Sequence, residues 1–142
     1  MLEFNPQPKV TKKALKSEKK RLQARCWKLM SEWVRRRDAS FSGMVICFTC
    51  DKPLHWKEAN AGHFQHGKLD FDERNIHCQC VKCNMFLSGK LDSYTMRLIG
   101  LHGVEWVEQL RNDAAKHLGY TVEELRTIEK DLKARLILLP KV

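Results

Sequence analysis

The sequence predicts a mainly helical α+β protein: a long basic N-terminal helix, a small hairpin core framed by cysteine pairs, and a helical tail. Three observations carry that expectation. The run from Thr11 to Arg37 contains no glycine or proline, and Leu15, Leu22, Cys26, Leu29 and Trp33 follow at steps of 7, 4, 3 and 4, one face of a helix. Two Cys-x-x-Cys pairs, Cys47/Cys50 and Cys80/Cys83, bracket a stretch of short strand-like segments. From Leu91 onward the apolar residues return at helical spacing. A chain of 142 residues is one domain's worth, divided here into arm and basic helix (1–38), hairpin core (39–90) and C-terminal helices (91–142).

Residues 1–10 hold two prolines and no periodicity, and read as an extended arm. In the helix that follows, Trp27, Met30 and Val34 widen the apolar face, so its second half is expected on the core while the lysine-rich first half projects. Arg35, Arg36 and Arg37 close it, where cations suit the helix dipole. Cys26 lies on the apolar stripe and reads as a small core residue.

Residues 38–43 form a turn into a strand beginning at Met44, and the polar run 51–60 reads as irregular. Residues 61–67 are expected as a strand, 68–75 as a connection, 76–79 as the return strand, and a helix is expected from Val81 to about Ser88. Leu91, Tyr94, Leu98 and Leu101 make one helical stripe. Val104, Val107, Leu110, Ala114 and Leu118 make a second, ended by Gly119. Thr121-Val-Glu-Glu124 carries a capping-box signature ahead of a third.

No run approaches the length of a membrane span, and the first residues lack the layout of a signal peptide. A reducing cytoplasm is the expected compartment, where paired cysteines bind metal more often than they oxidise. The net charge of +9 has a single source. Between Lys9 and Arg37 there are 12 Lys/Arg against two acids, and from Asp38 to the last residue the charges cancel. Such a concentrated excess is the footprint of a nucleic-acid binder, with Lys12, Lys13, Lys16, Lys19, Lys20, Arg21, Arg35, Arg36 and Arg37 as the candidate phosphate contacts.

A Cys-x-x-Cys turn aims two thiolates at one point, and two such turns supply the four-sulfur tetrahedron that zinc prefers. Cys78 offers a second register with Cys80, but Cys80/Cys83 repeats the first pair's spacing. A closed four-cysteine shell leaves no position for substrate, so Cys47, Cys50, Cys80 and Cys83 are expected to hold a structural Zn²⁺.

Between these pairs lie His63 in AGHF, Asn75 in FDERNIH, and Asn84 directly after Cys83. This arrangement resembles the HNH, or ββα-metal, nucleases. The fuller set AGHF…LDFDERNIH.QCVKCN…SGKL..Y is similar to the NinG family of lambdoid phage recombination proteins, with its Rap-like structure-specific endonucleases. The resemblance covers roughly Cys47 to Leu101, and more loosely the helical tail. It implies a zinc-stabilised ββα-metal core, a catalytic Mg²⁺ or Mn²⁺, His63 as general base, Asn84 as a metal ligand, and Asn75 as a brace for the connecting loop. For a phage-encoded protein the compartment becomes the host cytoplasm.

The chemistry asks for these residue types in its own right: a neutral imidazole can deprotonate water near neutral pH, and a divalent ion offsets charge on the scissile phosphate. The sequence departs from the common HNH pattern at Gly62, where a metal-binding side chain often precedes the base, and at Asn84, where histidine is common. His77 is the first candidate to complete the shell, followed by Asp72 and His66. The implied function is a metal-dependent endonuclease acting on branched DNA such as Holliday junctions or D-loops, for which a homodimer with two active sites is the expected assembly. The alternatives are a non-catalytic zinc-stabilised DNA-binding recombination accessory protein and, more remotely, a protein-interaction scaffold.

Overall fold

The glycine- and proline-free run forms a single helix, α1 (Lys12–Arg37), capped by the Thr11 side chain, which accepts from the Ala14 N–H at 3.1 Å. The structure is a computed structural model that describes residues 6–142; the first five residues of the expected N-terminal arm lie outside the described part. Leu22, Cys26, Met30, Trp33 and Val34 are buried along one face, whereas the turns carrying Lys12 to Lys16 are exposed. The helix therefore sits on the core by its second half and projects by its first.

After the turn at residues 38–43, β1 (Met44–Ile46) pairs antiparallel with β2 (Pro53–His55), register Val45 opposite Leu54. The expectation of an irregular 51–60 segment is corrected here. Pro53 lacks an N–H but occupies an edge strand, where that donor is dispensable. The first cysteine knuckle forms the turn of this hairpin, closed by Cys47 N–H to the Lys52 carbonyl (2.8 Å) and Asp51 N–H to the Cys47 carbonyl (3.0 Å).

A second hairpin joins β3 (Asn60–His63) to β4 (Ile76–Gln79), with Gly62 opposite His77 and Asn60 opposite Gln79. β3 stops at His63 instead of running to Gly67, because the Asn75 side chain captures the backbone that would have continued the ladder. A single 3₁₀ turn, Glu73–Asn75, leads into β4. The helix expected over 81–88 is one wide turn, Lys82–Phe86, with Leu87 N–H reaching the Lys82 carbonyl at 2.9 Å. Ser88, Gly89 and Lys90 then adopt positive φ (50°, 83° and 48°), which ends that turn before α2.

The tail contains α2 (Leu91–His102), α3 (Val104–Lys116) and α4 (Val122–Leu138). Gly103 (φ 92°) separates the first two, a conformation that favours glycine. α3 ends at Lys116, short of its expected stripe, and Leu118 stands in solvent. α4 opens with a complete capping box: Thr121 Oγ1 accepts from Glu124 N–H (3.1 Å) and the Glu124 carboxylate accepts from Thr121 N–H (2.7 Å).

The core has three parts. The two hairpins pack on Met30, Trp33 and Val34 of α1 and Leu132 of α4. Phe64, Leu69, Tyr94, Leu98, Val107 and Leu110 hold α2 and α3 against the connecting loop. Leu22 and Cys26 meet Leu125, joining α1 to α4, with Cys26 Sγ 3.2 Å from the Leu125 carbonyl. Cys26 is thus a core residue. No described helix is long and apolar enough to cross a membrane.

Candidate functional site

The two knuckles meet. The sulfurs of Cys47, Cys50, Cys80 and Cys83 all lie within 4.8 Å of one another, and Cys50 and Cys80 are separated by 3.7 Å. Sulfurs around a tetrahedral zinc at about 2.3 Å stand about 3.8 Å apart, so the donor set fits a four-cysteine zinc site. Among the described residues this is the one place where three or more His, Cys, Asp or Glu ligand atoms converge. Phe48 N–H donates to the Cys78 carbonyl (2.8 Å), which ties the first knuckle to β4. Burial opposes ionisation of Cys47, yet the backbone N–H groups of Cys80 and Thr49 and the Thr49 hydroxyl outweigh it and bring the thiol down to about 6. Burial, with the neighbouring sulfurs, pushes Cys50 up to about 12. Cys78 lies on the α1-facing side of β4: buried, its thiol pushed up by burial, its sulfur 3.8 Å from the Val34 carbonyl. Cys80, two residues on, lies past the end of β4 where the chain turns into the second knuckle, so it joins the cluster while Cys78 stays against α1.

His63 is the last residue of β3 and its ring lies on that same α1-facing side, stacked on Trp27 with centroids 4.6 Å apart. Its Nε2 is 3.3 Å from the Asp70 carbonyl and 3.8 Å from the Asp70 carboxylate. A carbonyl only accepts, so Nε2 carries the proton and the neutral ring presents Nδ1 as its lone pair. Burial lowers the His63 pKa more than Asp70 raises it. The ring forms one wall of a cleft of about 470 Å³, shared with Gln23, Ala24, Trp27, Gly67, Asp70 and Phe71.

Asn75 is fully buried and both ends of its amide are bonded. Oδ1 accepts from Gln65 N–H at 2.7 Å, and Nδ2 donates to the carbonyls of Gln65 (3.0 Å), Lys68 (3.1 Å) and Leu69 (3.2 Å). It holds the loop that carries His66 and leads to Asp70.

The opposite face of the hairpin carries Gly62, His77 and Gln79. A Cβ on Gly62 would fall 1.9 Å from Gln79 Oε1 and 3.1 Å from Asn84 Oδ1, so Asn84, on the wide turn after β4, leans over the glycine beside the base. His77 is committed elsewhere. Its Nδ1–H donates to the Tyr94 hydroxyl (2.9 Å), which itself donates to the Gly62 carbonyl (2.9 Å), and its ring stacks on Phe48 at 4.0 Å. Burial, then the Arg37 charge, lowers the His77 pKa to about 4. Asp72 caps the 3₁₀ turn and is gripped by the Arg74 guanidinium at 2.7 Å. His66 is exposed, with its ring 6.3 Å from that of His63 and its Nε2 beside Gly89. The structure thus places His63 at the end of β3 on the α1 side with Asn75 bracing the loop beyond it, sets Asn84 over Gly62 on the other face of the hairpin, and leaves His77 and Asp72 in structural bonds.

The basic residues of α1 divide in the same way. Lys12, Lys13, Lys16, Lys20 and Arg21 are exposed and Lys19 is half-buried. Lys16, Lys20, Gln23 and Trp27 recur at helical spacing, so the basic row leads along the helix into the His63 cleft. Arg35, Arg36 and Arg37 instead make internal contacts. Arg35 lies over Trp56 and bonds its carbonyl, Arg36 pairs with Glu32 and reaches the Pro140 carbonyl, and Arg37 pairs with Asp38 and lies over Trp33. Trp27, Asp70, Tyr94 and Gln79 are parts of this neighbourhood that spacing alone does not reveal, because each enters through a tertiary contact.

A sequence model described as Bacteriophage Lambda NinG protein matches residues 5–141. The protein named "Protein ninG" from Escherichia phage 933W is 35% identical over 111 residues, covering 75% of this chain and 52% of the relative. Its namesakes from Salmonella phage P22 and Escherichia phage lambda are 33% and 32% identical over the same length, with the same coverage. The chain therefore spans about half the length of these curated relatives. No solved structure matches.

Proposed function

The chain belongs to the NinG family, and within that family we propose that it is a metal-dependent endonuclease that hydrolyses phosphodiester bonds in branched DNA, on an HNH-like core. The observation that carries the reading is His63: a neutral imidazole at a strand end, with Nε2–H held by the Asp70 carbonyl and Nδ1 left as a base in a cleft reached by a row of lysines. In this reading Nδ1 takes the proton of the attacking water. Trp27 and Asp70 fix the ring's plane and tautomer, and Asn75 holds the loop that presents Asp70.

A divalent cation, Mg²⁺ or Mn²⁺, would offset negative charge on the phosphate and the leaving oxygen, with Asn84 as one of its ligands. The zinc frame takes no part in the chemistry; it fixes β4 and the wide turn so that Asn84 stays over Gly62. The lysines of α1 grip phosphates and supply affinity without reading bases. The water's oxygen attacks phosphorus and the 3′ oxygen leaves, so the products carry 3′-hydroxyl and 5′-phosphate ends. A four-armed substrate presents two equivalent scissile positions, which a homodimer would address.

Cleavage of a fluorescent four-way junction and of linear duplex, each with Mg²⁺ or Mn²⁺, tests the reading directly. The junction is expected to be cut by wild type and left intact by His63→Ala, with junction binding retained. Salt-sensitive binding without cleavage, or equal cleavage by His63→Ala, defeats the mechanism and favours a non-catalytic DNA-binding accessory protein.

A further inference from the structure

Gln79 is a glutamine where a buried strand position ordinarily holds an apolar side chain. It is fully buried, and its Nε2 donates to Thr49 Oγ1 (3.0 Å) and to the Gly89 carbonyl (2.8 Å). The second acceptor fixes the amide's orientation, since the reverse setting would face two carbonyl oxygens together. Oε1 is thereby turned away from both, and it has no hydrogen-bond partner. Leaving a buried amide oxygen unpaired is costly, so such a group points to something that it binds.

What Oε1 faces is the space above Gly62. With 1.9 Å and 3.1 Å to the same Cβ position, Oε1 of Gln79 and Oδ1 of Asn84 can be no more than 5.0 Å apart. Two oxygens sharing one small divalent ion stand about 3–4 Å apart at the usual metal–oxygen distances. We propose that Gln79 is a second oxygen ligand, beside Asn84, for a divalent cation at this spot. The assignment rests on the endonuclease reading for its purpose, and on Gly62 and the unpaired oxygen for its geometry. It explains why residue 62 is glycine: the ligand comes from the opposing strand through the room a side chain would fill. Both ligands are neutral amides, so the ion is held weakly by the protein alone and more tightly once a phosphate adds its charge.

The test uses the zinc-loaded full chain and Mn²⁺ as probe. Substoichiometric Mn²⁺ is expected to broaden the NMR signals of the Gln79 and Asn84 side-chain amides in wild type before those of other side-chain amides. Mn²⁺ affinity, followed by electron paramagnetic resonance, is expected to fall about tenfold in Gln79→Met and in Gly62→Ala, at unchanged zinc content. Gly62→Ala keeps the glutamine and displaces it, so it decides the matter if Gln79→Met loses its fold. Unbroadened Gln79 and Asn84 amides at millimolar Mn²⁺, or a folded Gln79→Met that binds Mn²⁺ as wild type does, overturns the assignment. If the wild type cuts junctions in that case, the endonuclease reading survives without Gln79. Mn²⁺ held at Gln79 in a protein that cuts no DNA upholds the site and sinks the endonuclease reading instead.

Discussion

Replacing Asn75 removes a side chain that holds a loop together from within. Its amide accepts one backbone N–H and donates to three carbonyls, all at 2.7–3.2 Å, from a position with no solvent exposure. At about 1 kcal/mol net per bond, with the three carbonyls sharing two N–H groups, Asn75→Ala should cost about 3 kcal/mol. For a domain of this size that lowers Tm by about 6–12 °C. Asn75→Asp separates bonding from volume. It keeps the acceptor for Gln65 N–H, but sets a carboxylate oxygen against the carbonyls of Gln65, Lys68 and Leu69. The expected order of Tm is therefore wild type, then Ala, then Asp, measured by circular dichroism on zinc-loaded protein near neutral pH. A loss below about 3 °C for both variants, or an Asp variant more stable than the Ala variant, would show that the loop is held by other means.

Three further outcomes follow from the geometry. Metal analysis should find one zinc per chain, retained in Cys78→Ala and lost in Cys83→Ala, and chelation should unfold the hairpin core. Zinc lost equally from both variants would refute the sulfur assignment. The depressed His77 pKa, about 4 against 6.5 in the unfolded chain, means that the unfolded state binds more protons between those values. Stability from this group is thus complete above pH 6.5 and lost as pH falls towards 4, worth roughly 3 kcal/mol. Denaturant titrations at pH 4 and pH 7, with wild type compared to His77→Phe, should show that difference shrink by this amount; an unchanged difference would discount the burial. Replacing Lys12, Lys13, Lys16, Lys19 and Lys20 by glutamine should reduce the slope of log affinity against log salt by up to about 4 for duplex DNA, at unchanged Tm. An unchanged slope would move the DNA contact away from α1.

Much of the frame was legible because its signals are local. Cys-x-x-Cys spacing survives any uncertainty in strand boundaries, and the four sulfurs do converge. The capping box at Thr121 and the projecting lysine half of α1 are likewise properties of a few adjacent residues. What was not legible depends on partners distant in sequence. β2 was hidden because Pro53 and its polar neighbours have no strand propensity, and they pair only because Met44–Ile46 needs an edge. The helix expected after Cys80 shrank to one wide turn followed by three left-handed residues. Residue type suggested His77 as a ligand, but the ring is stacked on Phe48 and hydrogen-bonded to Tyr94, a residue in a different helix. A charge count could not tell Arg36, paired with Glu32, from Lys16, which stands in solvent. Gln79 was missed for the same reason: its meaning lies in Gly62, 17 positions earlier.

The seat of α1 has a consequence for the order in which the chain folds. Beyond Leu22 and Cys26 packing on Leu125, the ion pairs Arg25–Glu129 and Glu18–Arg126 fasten the first helix to the last, about a hundred positions away. The cysteine hairpins can close around zinc as soon as Cys83 is available, whereas the basic helix has no complete seat until α4 exists. Loop closure over such a separation is slow relative to local pairing. A chain leaving the ribosome therefore carries its most cationic segment unseated through most of its synthesis, and gains a fixed direction for its lysines only in the last step of assembly.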